Sequence, residues 1–179
     1  WIEYHKWTFK SALYTKLIGD LVLKTAADFG YLGYYNKDLG YSPFEGFQLG
    51  GDGMSGYNTY GSDIIGLRGY SNYSLTPIED NAYAGRVYDK FTVELRHPVI
   101  MQPQSTIYAM LFLEAGNCWK DIKDFNPFEV KRSAGVGLRV MLPIVGMLGI
   151  DWGYGFDPVP NEKNKKSGSQ FHFVIGQNF

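Results

Sequence analysis

Between Met147 and Phe156 large and small residues alternate without a break. Leu148, Ile150, Trp152, Tyr154 and Phe156 fall on one side of an extended chain, with Gly149, Asp151, Gly153 and Gly155 on the other. Successive side chains of a strand point to opposite faces, so this period of two predicts a strand and not a helix. One face is a continuous apolar stripe and the other is tiny or charged, which suits a wall with hydrocarbon outside and a crowded polar lumen inside. A strand of a soluble β-sandwich would alternate in the same way. The two are separated by whether the pattern recurs over segments of about 9–11 residues, the length that crosses a bilayer.

It recurs. Val130 to Leu142 sets Ala134, Val136, Leu138, Val140 and Leu142 against Lys131, Ser133, Gly135, Gly137 and Arg139. Ser169 to Phe179 sets Phe171, Phe173, Ile175 and Phe179 against His172, Val174, Gly176 and Asn178. In Ser105 to Gly116, Ile107, Ala109, Leu111, Leu113 and Ala115 oppose Tyr108, Met110, Phe112, Glu114 and Gly116. Tyr83 to Leu95 sets Val87, Phe91, Val93 and Leu95 against Arg86, Tyr88, Lys90, Thr92 and Glu94, the most strongly charged inner face in the chain. Leu21 to Tyr31 and Glu3 to Leu13 are weaker versions, which makes about seven strands.

The connections alternate between short and long, as they do in bacterial barrels with short periplasmic turns and longer extracellular loops. Short turns are expected around Ile18-Gly19-Asp20, from Pro98 to Pro103 and from Pro143 to Gly146. Long loops are expected at about 36–81, from Trp119 to Glu129 and from Asp157 to Gly168. On this pattern the C-terminus at Phe179 lies on the periplasmic side. The fold class is therefore all-β, a transmembrane antiparallel up-and-down β-barrel. An odd number of strands leaves a free edge, which a complete barrel does not have. The expectation for residues 1–179 is thus the C-terminal portion of a larger, even-numbered barrel. The chain opens at Trp1 with no charged and apolar leader, which fits the same expectation.

Composition agrees and excludes other classes. The chain is 17% aromatic with 22 glycines, yet its mean hydropathy is −0.22, as expected when strands are apolar on one face only. The longest nearly apolar run, Val140 to Ile150, is broken by Pro143, Gly146 and Gly149 and is too short for a spanning helix. A formal net charge of −1 argues against nucleic acid as a partner. The single cysteine, Cys118, cannot close an intrachain disulfide and reads as a spectator.

Catalytic groupings are poor. His5, His97 and His172 fall in separate parts of the chain, and Ser55 is followed by Gly56-Tyr57, which breaks a nucleophile elbow. The run Gly50-Gly51-Asp52-Gly53-Met54-Ser55-Gly56 lacks the Gly-Lys-Ser/Thr ending of a phosphate cradle. No metal-ligand spacing occurs, so neither enzyme activity nor a metal or other cofactor is expected.

Three motifs, in order, give a more specific reading. Gly66-Leu67-Arg68-Gly69-Tyr70 lies in the long connection after the pair Gly50-Gly51; Phe112-Leu113-Glu114-Ala115-Gly116-Asn117 comes two strands later; and the chain ends in Gln170 to Phe179. Read without any family, the two glycines let a loop arginine fold back into the lumen. Glu114 shares the inner face with Met110, Phe112 and Gly116, and could meet Arg68 in a charge-assisted contact, while Gly116 makes room for the loop.

Over essentially the whole chain these motifs resemble the BamA family of outer-membrane assembly proteins and its two-partner-secretion relatives. The first is similar to the family's Val-Arg-Gly-Phe/Tyr signature in the sixth extracellular loop. The second is similar to its Phe-x-Asp-x-Gly motif, with Glu114 where aspartate is usual. The resemblance implies a loop-to-lumen pin made by Arg68, Glu114, Gly66, Gly69, Tyr70, Phe112 and Gly116. It also implies a lateral seam at the terminal strand, with Phe171, Phe173, Ile175, Gly176 and Phe179, where Gly176 would weaken pairing near the end. It implies a full barrel of about 16 strands, with N-terminal barrel strands and periplasmic repeat domains outside this chain. The implied function is folding and inserting outer-membrane proteins without chemical catalysis; the alternative is a two-partner-secretion polypeptide transporter. The implied partners are client outer-membrane proteins, outer-membrane lipids and accessory lipoproteins.

Overall fold

A computed structural model describes residues 3–54, 61–102, 105–142, 146–160 and 165–176. In chain order the strands are β1 (Tyr4–Lys16), β2 (Val22–Tyr34), β3 (Phe47–Leu49), β4 (Asp63–Ile65), β5 (Ile78–Glu79), β6 (Ala82–Tyr83), β7 (Val87–Gln102), β8 (Ser105–Trp119), β9 (Lys131–Leu142), β10 (Gly146–Pro158) and β11 (Lys166–Ile175). The seven long strands form one antiparallel sheet in the order β1-β2-β7-β8-β9-β10-β11. Each long strand pairs with the next long strand along the chain, the meander of an up-and-down barrel wall. The sheet is open, with β1 and β11 as its edges.

The long strands run from 10 to 16 residues. At about 3.3 Å per residue the shortest of these is about 33 Å long, which at a tilt of about 40° spans the apolar band of about 25 Å that an outer-membrane barrel presents. The faces are inverted relative to a water-soluble domain. Phe9, Leu111, Leu113, Trp152, Phe171 and Phe173 are exposed, whereas Glu94, Glu114, Arg139, Asp151 and His172 are buried. The alternation read for β8 to β11 is present along the middle of each strand, where Leu111, Leu113, Val136, Leu138, Ile150, Trp152, Phe171 and Phe173 are exposed, and Leu148 lies half-buried on the same outward side.

Several expectations need correction. The turn expected from Pro98 to Pro103 is sheet as far as Gln102: Pro98 pairs with Tyr108, and the register shifts between Pro98 and Ile100. Proline has no N–H to give to a ladder, and β2 pairs with β7 no further than Arg96, so Pro98 lies where β8 alone flanks the strand among the described residues. Tyr83 does not open the long strand; it closes the hairpin of β5 and β6, whose turn residues Asp80 and Asn81 have φ of 50° and 62°. The last strand begins at Lys166, inside what reads as a loop, and Phe179 lies outside the described residues, as do Pro143 and Ser55 to Tyr57.

The lumen is not uniformly polar either. Leu32, Phe47, Leu49, Ile65, Leu67, Tyr70, Leu75, Tyr88, Cys118 and Val159 form a buried apolar cluster. The connection between β2 and β7 supplies Phe47, Leu49, Ile65, Leu67, Tyr70 and Leu75, so this segment is a folded plug carrying its own core. Cys118, read as a spectator, is part of it. Inside the plug β3 and β4 pair in parallel, and Gly51 bridges Leu67. The connection between β8 and β9 instead folds over the outside of the wall, where Phe125 packs edge-on against Phe29 and Trp119.

Candidate functional site

Arg68 is the centre of a buried polar site. Its side chain is carried into the lumen on the stretch just after β4, where the Gly51–Leu67 bridge fixes the backbone. Period two on the long strands then brings inward-facing groups to it from four of them: Glu94 from β7, Met110, Phe112 and Glu114 from β8, Asp151 from β10 and His172 from β11.

Arg68 Nη2 donates to Glu114 Oε1 at 2.7 Å and to Glu94 Oε1 at 2.6 Å. The Arg68 backbone N–H donates to Glu114 Oε2 at 2.8 Å. Nη1 lies 3.4 Å from Met110 Sδ and 3.6 Å from Asp151 Oδ2. The guanidinium carbon sits 3.8 Å from the centroid of the Phe112 ring, a cation–π contact that Arg makes well because its charge is planar and weakly hydrated.

Further charges balance the carboxylates. Lys90 lies 3.2 Å from Glu114, Lys24 lies 3.8 Å from Glu94, and Arg96 Nε donates to Glu94 Oε2 at 2.8 Å. Arg139 meets Asp151 in a fork, with distances of 2.6 and 2.7 Å. Burial works against the Arg68 charge, but Glu114, followed by Glu94, outweighs it and holds the guanidinium above its ordinary pKa.

The glycines act by permitting close approach. Gly69 has φ of +88°, and a Cβ there would lie 2.9 Å from Ser133 Cβ and 3.0 Å from the Gly155 nitrogen. Opposite it, a Cβ on Gly153 would lie 2.7 Å from the Gly69 nitrogen. The glycine face of β10 is thus the floor on which the loop backbone rests. Gly66 differs from its expected use as a sharp turn: a Cβ there would meet Gly53 and Asp52 backbone at 2.8 and 2.9 Å, so it serves packing within the plug. At Gly116 the tight neighbour is the Asp89 carbonyl at 2.6 Å, and the loop's Leu67 comes only to 3.4 Å.

Tyr70 is fully buried and ties the plug to two strands: its hydroxyl donates to the Arg132 carbonyl at 2.8 Å and accepts from the Asp157 N–H at 3.3 Å. Burial pushes its phenol up to about 12.

The two expected groups of residues separate in space. Arg68, Glu114, Gly69, Tyr70 and Phe112 converge in the lumen, whereas Phe171, Phe173 and Ile175 point outward from β11. Gly176 has φ of +70° just beyond β11, and its N–H still donates to the Met147 carbonyl at 2.8 Å, so it extends the pairing by one bond. Residues that sequence reasoning did not assign to the site are Glu94, Lys90, Asp151 and His172. Their inward parity was visible; which of them reach Arg68 depends on sheet register. His172 enters by accepting the Gly69 N–H on Nε2 at 2.9 Å.

No curated protein matches the sequence. Among solved structures, the chain is similar to BamA from Haemophilus ducreyi lacking POTRA domains 1–3, with a TM-score of 0.61 and 18% identity over 96% of this chain and 35% of that one. At that identity the likeness concerns the fold, and this chain spans about a third of the length of that protein. The model of the Omp85 superfamily domain matches residues 1–179. With an outward apolar wall, an arginine-bearing loop seated in the lumen and a family match over its whole length, the chain belongs to the Omp85 superfamily.

Proposed function

We propose that this chain is the C-terminal part of an outer-membrane barrel that folds and inserts other outer-membrane proteins, with the Arg68 loop pinning the lumen. The observation that carries the reading is the seating of Arg68 on Glu114 and Glu94, buried beneath the plug. A loop held by hydrogen-bonded buried charges cannot leave its site cheaply, because withdrawal strands the carboxylates. The barrel end that it fills keeps its shape while a seam elsewhere opens.

No bond is made or broken in this role. The free energy of insertion comes from the client, whose apolar strand faces leave water and whose backbone pairs at hydrocarbon depth. A client strand adds to an exposed edge by β-augmentation, and β11 is an edge of this sheet. The short turns and the C-terminus are periplasmic and the plug extracellular in this reading; client barrels, outer-membrane lipids and accessory lipoproteins are its partners. The N-terminal strands and periplasmic repeat domains complete the machine.

A second reading, a two-partner-secretion transporter, is favoured by one observation. A polar cavity of about 460 Å³ lies beside the pin, lined by Lys10, Lys24, Asp28, Asp52, Lys90 and Asp151 among others. In that reading the plug withdraws to let an unfolded chain pass.

The test uses Arg68→Ala in the full-length protein. Assembly falls and the loop becomes open to protease if the loop is a pin for insertion. Normal client insertion together with a resistant loop would sink the idea. Secretion of a partner polypeptide, lost in the same variant while barrel insertion stays normal, selects the transporter.

A further inference from the structure

We propose that His172 couples the Arg68 loop to the edge strand β11, so that the seat of the arginine and the position of that strand depend on each other. The proposal rests on the reading of the loop as a pin and names the device that connects it to β11.

The ionic contacts of Arg68 run to β7, β8 and β10: Glu94, Glu114 and Asp151. β11 is reached by different chemistry. One residue after Arg68, the Gly69 N–H donates to His172 Nε2 at 2.9 Å, and His172 is buried at 5% exposure. Accepting at Nε2 requires the neutral imidazole with its proton on Nδ1.

A second contact reaches the same strand from the other end of the plug. The Ile175 N–H donates to Met54 Sδ at 3.4 Å. Gly176 gives its N–H to Met147 on β10, and amides alternate in direction along a strand, so the Ile175 amide points away from β10 toward the open edge. The plug therefore touches β11 on its inner face and at its unpaired border.

The coupling follows from how little slack lies between the two bonds. Gly69 directly follows Arg68, whose own amide is held by Glu114 Oε2 at 2.8 Å. Gly69 is boxed in by Ser133, Tyr154 and Gly155. Movement of β11 off β10 pulls the Gly69 amide and with it the Arg68 amide; release of Arg68 in turn leaves His172 without its donor. Such a linkage is reciprocal by necessity.

The experiment uses the full-length protein in liposomes, with heat-modifiable migration as the check of folding. Variants His172→Leu and His172→Gln are compared for proteinase K cleavage of loop 50–70 and for amide exchange of peptide 166–176. His172→Phe, which keeps a ring but offers no acceptor, stands in if the leucine variant does not fold. Loss of the acceptor is expected to speed cleavage about tenfold, the scale for a buried donor left unsatisfied, while glutamine, whose carbonyl can accept, stays within about twofold of wild type. Arg68→Ala is expected to speed exchange of the 166–176 peptide in the wild-type background and to add nothing in His172→Leu. Unchanged cleavage and exchange in His172→Leu, or equal effects of leucine and glutamine, overturn the coupling. A loop that stays resistant in Arg68→Ala overturns instead the pin on which the coupling rests.

Discussion

Both oxygens of Glu114 accept from Arg68, Oε1 from the guanidinium at 2.7 Å and Oε2 from the backbone N–H at 2.8 Å, while Lys90 adds a contact to Oε1 at 3.2 Å. Glu114 fixes the side chain and the main chain of the loop together. Glutamate makes both bonds with one methylene more of reach than aspartate has.

Glu114→Asp is therefore expected to surrender one of the two bonds. The cost is about 1.5–3 kcal/mol for a hydrogen bond to a charged group. Chemical denaturation of the full-length protein in detergent reads it as a lower midpoint, with the loop cleaved faster by protease. A midpoint equal to wild type would mean that the shorter side chain reaches both donors.

Gly69→Ala tests the floor. A side chain at φ of +88° is strained, and its Cβ would press on Ser133 and Gly155. The strain alone costs about 1–3 kcal/mol, and the displaced backbone adds to it. Gly40 is the control: it has φ of +66° with nothing within 4 Å of a Cβ, so Gly40→Ala carries strain without collision. Loop protection is expected to fall more in Gly69→Ala than in Gly40→Ala, and equal effects would remove the floor from the account.

Tyr70→Phe predicts a change in alkaline stability. Burial raises the phenol from 10.0 to about 12. The unfolded chain loses its proton from about pH 10 upward while the folded one keeps it until about 12, so the contribution is complete below 10 and is lost as pH rises to 12. The gap in thermal midpoint between wild type and Tyr70→Phe should narrow across that window. A gap that is constant from pH 9 to 12 would show that Tyr70 does not titrate there.

What was legible followed from which faces the strands offer. On β10 the inner neighbours are Gly149, Asp151, Gly153 and Gly155, so contrast between faces is maximal and the strand reads directly. On β1 and β2 polar and apolar residues mix on both faces, and those strands read weakly. Pro98 misled because proline in an internal strand normally marks its end; here β2 has already left β7 by that point. That the long loop enters the lumen was expected, but its internal fold was hidden because β3 and β4 have three residues each, too few for a period, and pair across the loop.

The site divided in the same way. Arg68 and Glu114 were readable as a local pair of motifs. Glu94 was not assigned, since its approach to Arg68 depends on the register that places Thr92 opposite Glu114 and Glu94 opposite Phe112. His172 looked like any polar residue on an inner face. Its use depends on the Gly69 amide arriving from more than a hundred positions away.

The apolar cluster of the plug sits where β2 ends and β7 begins, whereas Lys16, Val99, Met101 and Gln102 at the opposite rim are exposed. Densely packed interiors resist compression. The plug's core braces the wall from within at that mouth, so the wall yields more readily at the other, beside the tight turns. Deformation imposed by a neighbouring molecule would be absorbed at that softer mouth.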